Sequence, residues 1–380
     1  MISRMSEKYY AEQFKSLTEM SAHMKMPKEK CMRAARERLD AIAKPLDGLG
    51  MFEEMIVRMA GMQESAEVET APARLLIMCA DNGIVEEGVT QSDASVTAAV
   101  AGSLARGTSS VCRMAQTAGI DHLTVDMGVR DAITGSREKE NIRDCRIRNG
   151  TRNFSKEPAM TAEETVRAIQ TGADLVKESV GSGYRIVLTG EMGIGNTTTS
   201  AAMAAVLTGA AVDVVTGRGA GLDAAGLERK RNVIRESLDR YGFAPGNGDV
   251  TDRDEVFRLL CCVGGYDIAG MAGIYLGGAL YGVPIVIDGV ISAVAALTAE
   301  RIFPGCRRYM LPSHQGKEPA MALLLEALHL KAPIHAELAL GEGTGAVMLL
   351  PLLRMALAVY RGNTGFDALG MDAYERYDAV

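Results

Sequence analysis

Residues 185–207 read RIVLTGEMGIGNTTTSAAMAAVL: a Val, Ile and Leu run, then a glycine-studded segment, then a hydroxyl-rich turn and an alanine-rich tail. β-Branched residues suit an extended chain and alanine suits a helix. The stretch therefore predicts a strand over Arg185–Thr189, a loop over Gly190-Glu191-Met192-Gly193-Ile194-Gly195-Asn196 and a helix through Ala201–Leu207. The same order recurs on both sides. Leu75–Cys79 leads into Ala80-Asp81-Asn82-Gly83, Leu123–Val125 into Asp126-Met127-Gly128, Pro284–Ile287 into Asp288-Gly289, and Arg308–Leu311 into Ser313-His314-Gln315-Gly316. Short apolar runs alternating with helical stretches predict βα units and a largely parallel sheet, an α/β fold. In such a sheet the loops that follow strands gather along one edge, where open α/β folds bind ligands, so the motifs predict a single site.

Further helices are expected at Leu222–Tyr241, Val256–Cys262, Asp267–Tyr281 and Thr344–Arg361. The first 65 or so residues are helical in composition, as in Glu29–Lys44, which Pro45 ends. A change to Glu- and Ala-rich sequence near Gln63–Pro72 reads as a linker between this part and the α/β core. Glycine-rich turns at Pro245–Gly248 and Gly264-Gly265 separate later segments.

The 380 residues are 47% hydrophobic and 23% charged, as a globular chain should be, which excludes a disordered or coiled-coil protein. Forty-one Lys+Arg against 48 Asp+Glu give a net charge of −7, so nothing in the overall charge draws the chain to nucleic acid or anionic membranes. Cys31, Cys79, Cys112, Cys145, Cys261, Cys262 and Cys306 are scattered without a C-x-x-C and read as reduced core thiols. The histidines contain no H-x-x-x-H pair, and no metal site is expected. Glycine or charge interrupts the apolar runs before about 18 residues, and the N-terminus, with Arg4, Glu7 and Lys8, has no signal-peptide core. The expectation is a soluble cytoplasmic protein.

The loop Gly190–Asn196 can direct backbone N–H groups onto an anion at a helix N-terminus. It is not a Walker A loop, because no Gly-Lys-Ser/Thr follows. It also fails as a dinucleotide fingerprint, because Thr198 stands at the third glycine position. A plain strand-to-helix turn with hydroxyl caps would use the same residues. Glu191 inside it calls for a partner such as a lysine or a sugar hydroxyl. Gly217–Asp223, followed by Leu227-Glu228-Arg229-Lys230-Arg231, opens a basic helix, either as a second ligand turn or as an ordinary solvated helix start. In Leu340-Gly341-Glu342-Gly343-Thr344-Gly345 one carboxylate stands between glycines that let a ligand approach closely. That setting suits a general base, and equally a capped turn stabilised by the helix dipole. Asp81 and Asn82 either contact a ligand or form an Asx turn. Ser313-His314 lacks the G-x-S-x-G elbow of a hydrolase.

Nine stretches in order, ADNGIVEEGV (80–89), VDMGV (125–129), GTRNFSKEPAMT (150–161), GEMGIGNTTTSAA (190–202), GRGAGLDAAGLERKR (217–231), VGGYDIAGMAG (263–273), PIVIDGVISAVAAL (284–297), SHQGKEPA (313–320) and LGEGTGAVMLLPLL (340–353), strongly resemble the nicotinate-nucleotide–dimethylbenzimidazole phosphoribosyltransferase family of cobalamin lower-ligand activation. The resemblance spans roughly residues 70–360. It implies transfer of the phosphoribosyl group of nicotinate mononucleotide to a ring nitrogen of an aromatic base such as 5,6-dimethylbenzimidazole. It also implies a Rossmann-like sheet flanked by helices, a small helical domain built from N- and C-terminal segments, a homodimer, and no cofactor. The expected division is residues 1–68, the N-terminal helical part; 69–330, the core; and 331–380, the catalytic-glutamate loop and C-terminal helices. By motif match Glu342 is the general base. Glu191, Gly193, Ile194, Gly195, Asn196, Lys230 and Ser292 belong to the nucleotide and phosphate site, and Asp81, Asn82, Thr90 and Leu340 to the base site.

The sequence departs from the family pattern in one loop. Asn82 replaces the usual histidine, Asp93 a proline, Ala98–Ala99 a glutamine, and Thr90 takes the place of a serine. These changes keep open a related transferase with a purine or phenolic acceptor. A non-catalytic nucleotide-binding protein is the reading of a different class, which the presence of Glu342 disfavours.

Overall fold

The computed structural model describes residues 14–133, 141–219, 221–246 and 248–377. Arg4, Glu7, Lys8, Ala220 and Asn247, which entered the readings above, lie outside the described residues. Six parallel strands, β1 (Ala73–Ala80), β2 (Asp121–Gly128), β3 (Ile142–Asp144), β4 (Ile186–Met192), β5 (Ile285–Ile287) and β6 (Met310–Pro312), form one sheet in the order β3-β2-β1-β4-β5-β6. The order turns back between β1 and β4, so the crevice of this Rossmann-like sheet opens beyond their C-terminal ends. Parallel strands are covered on both faces, and β1 is accordingly buried at every residue except Arg74.

The helices are α1 (Glu29–Ala41), α2 (Met51–Met62), α3 (Ser95–Ala105), α4 (Ser110–Ala118), α5 (Ala162–Gly181), α6 (Asn196–Thr208), α7 (Ala224–Arg240), α8 (Arg253–Val263), α9 (Tyr266–Tyr281), α10 (Val290–Ile302), α11 (Ala320–Ala327) and α12 (Thr344–Gly362), with shorter turns between them. Helix α9 is buried from Tyr266 to Leu280, which explains why its sequence is apolar all round. It crosses α5 closely: a Cβ on Gly172 would overlap the Gly270 carbonyl, and one on Gly273 the Ile169 carbonyl. The first turn of α5 is fixed by a capping box. The Glu164 amide donates to Thr161 Oγ1 at 3.1 Å and the Thr161 amide to the Glu164 carboxylate at 2.8 Å.

The N-terminal helices lie against the last helix. Arg38 Nε donates to the Tyr360 carbonyl at 3.1 Å, its guanidinium sits 4.5 Å from the Tyr360 ring centroid, and the Tyr360 hydroxyl donates to the Ala66 carbonyl at 2.7 Å. Helix α12 qualifies the reading that every apolar run is interrupted early. With 19 residues and a mean hydropathy of 1.3 it is long and apolar enough to cross a membrane, although half of it is buried within the protein. Arg354 interrupts the run without offsetting so many Leu, Val and Ala, and Leu349, Leu350, Leu353 and Leu357 pack into the core.

Two local expectations are corrected. Strand β4 continues through Gly190 and Glu191 to Met192, because its partner β1 runs alongside its whole length and pairs Ile77 with Gly190 and Met78 with Glu191. Arg308 belongs to a 3-10 turn over Cys306–Tyr309 ahead of β6 rather than to the strand. Strand β3 went unread because three residues, Ile142-Arg143-Asp144, carry no apolar run. The cysteines are free thiols, all buried except the half-buried Cys145.

Candidate active site

A cavity of about 240 Å³ opens at the C-terminal ends of β4 and β5, between the Gly193–Gly195 turn, the start of α10, and the loop ahead of α12. Thr90, Glu191, Gly193, Ile194, Gly195, Asn196, Ser292, Leu340 and Glu342, all named from the sequence, line it together. Met192, Thr197, Arg218, Asp288, His314 and Glu318 are also in its wall.

The glutamate loop is held in an unusual conformation. Gly341, Glu342 and Gly343 have φ values of 84°, 60° and 98°, so the carboxylate rises from three consecutive left-handed residues of which it is the only non-glycine. Such a conformation costs on the order of 1–3 kcal/mol and persists where its surroundings fix it. Asp288, just past β5, does the fixing: its carboxylate accepts the amides of Gly343 at 3.0 Å, Gly345 at 2.8 Å and Ala346 at 3.1 Å. A Cβ on Gly190 would overlap the Glu342 carbonyl, and one on Gly345 would enter the His314 ring, so both glycines are required by close approach. Burial pushes the Glu342 carboxyl above its ordinary value, the Val111 amide at the start of α4 opposes this, and the charge of Asp288 adds to it. Glu342 Oε2 is buried and has no hydrogen-bond partner among the described residues. That leaves an acceptor of raised basicity at the cavity wall.

Glu191 heads a second acidic group. Asn196 Nδ2 donates to Glu191 Oε2 in a short contact and to Asp267 Oδ2 at 3.2 Å, so one amide bridges two buried carboxyls. Burial, with the charges of Asp267, Asp288 and Glu342, pushes Glu191 up to about 8 against the Asn196 hydrogen bond. Burial also pushes Asp267 up to about 6. Asn82 sits behind this group, its Oδ1 accepting from the Thr199 hydroxyl at 2.8 Å.

At the opposite end of the cavity, α6 begins at Asn196 after Gly195, whose φ of 95° leaves the helix with no side-chain cap. Uncapped N–H groups at a helix N-terminus attract anions. The glycines have a packing reason as well: a Cβ on Gly193 would overlap the Ala80 carbonyl, and one on Gly195 would press on Val85 and Asn82. Lys230 of α7 is 1% exposed and donates to Thr197 Oγ1 at 2.9 Å and to the Gly217 carbonyl at 3.3 Å. Desolvation pulls its ammonium down to about 8, with Glu318 as the charge that opposes this.

Three residues named from the sequence do not reach the wall. Lys230 stands behind Thr197. Asn82 stands behind the Gly193–Gly195 turn. Asp81 faces away, toward the loop after β2, where Arg130 donates its amide to Asp81 Oδ2 at 2.7 Å. Ser292 lines the cavity, but its hydroxyl also bonds Thr189 Oγ1 and the Tyr275 hydroxyl, both at 2.6 Å, and accepts the Asp288 amide at 3.0 Å. Asp288 is one of the residues to which the sequence reading gave no role. Its signal was its place directly after the Pro284–Ile287 run, although the helix it caps lies more than fifty residues downstream. Asp267 stands in the VGGYDIAGMAG stretch at the start of an expected helix, and nothing local marked it as a site residue. Among the described residues no group of three His, Cys, Asp or Glu is arranged to hold a metal ion.

A parallel sheet with this strand order, an uncapped glycine turn and a carboxylate-lined cavity at the sheet edge describe a class that comparison with known proteins names. The family model described as Phosphoribosyltransferase matches residues 24–370, and the chain is a phosphoribosyltransferase of Rossmann-like α/β architecture. The nicotinate-nucleotide–dimethylbenzimidazole phosphoribosyltransferase of Ruminiclostridium cellulolyticum is 39% identical over 344 residues, 90% of this chain and 94% of that one. The enzyme of the same name from Pseudomonas putida is 37% identical over 329 residues, 87% and 91% of the two chains. The crystal structure of CobT from Thermus thermophilus superposes with a TM-score of 0.81 at 34% identity, covering 90% of this chain and 99% of that one. The chain belongs to the nicotinate-nucleotide–dimethylbenzimidazole phosphoribosyltransferase family.

Proposed function

We propose that this chain transfers the phosphoribosyl group of nicotinate mononucleotide to a ring nitrogen of an aromatic lower-ligand base such as 5,6-dimethylbenzimidazole, releasing nicotinate and an α-riboside phosphate for cobamide assembly. The observation that carries the reading is the Glu342 carboxylate, fixed in a left-handed turn with an unpartnered oxygen, in the same cavity as the glycine turn ahead of α6. The lone pair of the base nitrogen forms a bond to C1′ on the face opposite nicotinate. The C1′–N bond to nicotinate breaks, its electrons go to the pyridinium nitrogen, and the configuration inverts from β to α. The second nitrogen of the base becomes acidic as the bond forms, and Glu342 takes its proton. Asp288 and Glu342 offer negative charge where the sugar becomes cationic.

The phosphate belongs at Gly193, Ile194, Gly195 and Asn196, with Lys230 supplying charge through Thr197 and Arg218 close by. Glu191, held protonated at neutral pH, is suited to donating to a ribose hydroxyl, and Ser292 completes that wall. Thr90 and Leu340 face the base, and Asp81 and Asn82 shape the loop behind them. Ala98 and Ala99 of α3 cannot hydrogen-bond a heterocycle as a glutamine would, which favours modest discrimination between bases. The reading includes a homodimer, a cytoplasmic location and the division at residues 68 and 330. It requires no cofactor, since nicotinate leaves from a positively charged ring.

The test is to incubate purified protein with nicotinate mononucleotide and, separately, dimethylbenzimidazole, benzimidazole, adenine and p-cresol, following nicotinate by chromatography. Release of nicotinate in step with riboside phosphate is expected for at least the benzimidazoles. Tight nucleotide binding with no release for any base would replace the transferase with a binding protein, and a preference of several orders of magnitude for dimethylbenzimidazole would refute the relaxed base site.

A further inference from the structure

A second cavity lies at the other edge of the sheet, ahead of β6. It measures about 600 Å³ and is walled by α1, α2, the Cys306–Tyr309 turn and residues 329–331. Nothing in the transfer reaction uses it. Its apolar wall is largely methionine: Met26, Met32, Met51 and Met55, of which Met26 is 58% and Met51 38% exposed. Methionine adapts to flat, irregular ligands and its sulfur makes favourable contacts with aromatic ring edges.

Beyond the methionines, Pro27 and Leu330, the charged part of the wall has more cations than anions. Arg58, Arg307, Arg308 and Lys331 line the cavity, against Glu29 and Glu54. Glu54 is already paired with Arg36 at 2.8 Å, and Arg307 with Glu300 at 3.4 Å. Arg58 spends its guanidinium on carbonyls, donating to Met310 at 2.7 Å and Arg307 at 3.3 Å. The contact recorded for Arg308 is a 3.3 Å approach of Nη1 to the thioether of Met26. A thioether is a poor acceptor for a guanidinium, whose planar fork matches phosphate or carboxylate oxygens. Among the described residues Arg58, Arg308 and Lys331 have no carboxylate within ion-pair distance.

Cations at the rim and thioethers within are complementary to one kind of small molecule, a flat aromatic ring joined to an anionic group. A volume of this size lies within the range of ligand sites and accommodates a mononucleotide. We infer that this cavity is a second binding site, for a mononucleotide monophosphate, with the phosphate on Arg308 and Lys331 and the base against Met26 and Met51. If the proposed reaction is right, its nucleotide substrate and riboside phosphate product belong to this class, so the site would sense one or the other.

Equilibrium dialysis with adenosine 5′-monophosphate, adenosine and inorganic phosphate tests the site on intact protein. Arg308 and Lys331 are both exposed, so R308E/K331E should fold normally, as circular dichroism and a thermal melt would confirm. The inference expects adenosine monophosphate to bind wild type at least tenfold more tightly than either half-molecule. The double variant should lose that binding by tenfold or more, while kcat and KM for nicotinate mononucleotide stay within about twofold. Replacing Met26 and Met51 by serine should weaken the nucleotide and leave phosphate unchanged. Equal binding to wild type and double variant overturns the location, and equal binding of phosphate and nucleotide overturns the ligand class. A change of oligomeric state in the double variant, seen by sedimentation, would reassign the cavity to an interface between copies. Apart from the kcat and KM control, none of these outcomes requires transferase activity, so failure of the proposed function would show separately in the nicotinate-release assay.

Discussion

Replacing Glu191 with glutamine should change how stability depends on pH, in a direction and by an amount that follow from the site. Glu191 is 8% exposed and its carboxyl is pushed from the ordinary 4.5 to about 8. In the unfolded chain it loses its proton near the ordinary value. Between these two pH values the folded protein holds more protons than the unfolded one, so Glu191 lowers stability as pH rises through that window. At 1.36 kcal/mol for each pH unit between the two values, the full effect is roughly 5 kcal/mol. A domain of this length unfolds with an entropy of about 0.8 kcal/mol/K, so the corresponding change in Tm is about 6 °C. Glutamine keeps an oxygen for Asn196 Nδ2 and cannot ionise. Calorimetric melts of wild type and Glu191→Gln from pH 5 to pH 9 should therefore lie close together at the acid end. They should diverge on the alkaline side, with the variant the more stable. Titrating groups remote from the cavity cancel in the difference, whereas Asp267, Asp288 and Glu342, whose charges act on Glu191, titrate with it as one group. Two curves that stay parallel to within 1 °C would show Glu191 ionised throughout and would remove it as a neutral donor in the cavity.

Glu342→Gln keeps the shape of the side chain and removes the proton acceptor, so kcat should fall by roughly 10²–10⁴ while KM for the nucleotide holds. Because burial raises the Glu342 carboxyl, wild-type kcat/KM should climb along an acid limb lying above the ordinary glutamate value, and that limb should be missing from the residual activity of the variant. Lys230→Ala should raise KM for nicotinate mononucleotide well beyond any change in KM for the base. The wild-type nucleotide KM should itself rise as pH passes about 8, where the buried ammonium loses its proton; a flat profile would argue against a phosphate role. Asp288→Asn retains one oxygen for the amides of Gly345 and Ala346 but turns an NH₂ toward the Gly343 amide, or the reverse. Freed from that anchor the left-handed turn relaxes, and kcat should drop about a hundredfold, as expected for a reacting group displaced by about 1 Å; activity within threefold of wild type would mean that the turn holds itself.

The α/β alternation was legible because each strand but one is announced by a short apolar run and followed by a glycine-containing loop, and that alone put Glu191, Asp288, His314 and the phosphate turn on one sheet edge. The end of β4 was not legible. Glycine and glutamate read as loop, and only the length of β1 beside them and the passing Glu342 carbonyl make Gly190 a strand residue that tolerates no side chain. The motif around Glu342 suggested a base, yet nothing local says that its backbone is left-handed or that Asp288 holds it, since the anchor and the turn are 55 residues apart. Asp81 and Asn82 illustrate the opposite limit. Standing directly after a strand they looked like ligand contacts, whereas their side chains are committed to the Arg130 amide and the Thr199 hydroxyl. Position after a strand selects the edge of the sheet, and tertiary partners decide which side chains reach the cavity.

An acidic cavity that receives a doubly anionic nucleotide raises an electrostatic question, and the site resolves it by separating the charges. Glu191, Asp267, Asp288 and Glu342 are close enough that Glu191 feels the other three, and four carboxylates could not all ionise in so little water. Glu191, at about 8, stays neutral at physiological pH. The anion of Asp288 is met by three amides, and Glu342 carries its raised carboxyl beside it. Asp267, pushed only to about 6, keeps a buried negative charge behind Asn196 that the Asn196 amide screens. Of the groups at the cavity wall, Asp288 and Glu342 put negative charge at the loop ahead of α12, and the start of α6 offers Thr197 backed by the Lys230 ammonium. A nucleotide entering this field is favoured with its phosphate toward α6 and its sugar carbon toward Glu342, the orientation in which the bond to nicotinate can be exchanged. Removing the charge on either side should loosen that orientation as well as weaken binding, so Lys230→Ala and Asp288→Asn together should lower kcat more than the product of their separate effects predicts.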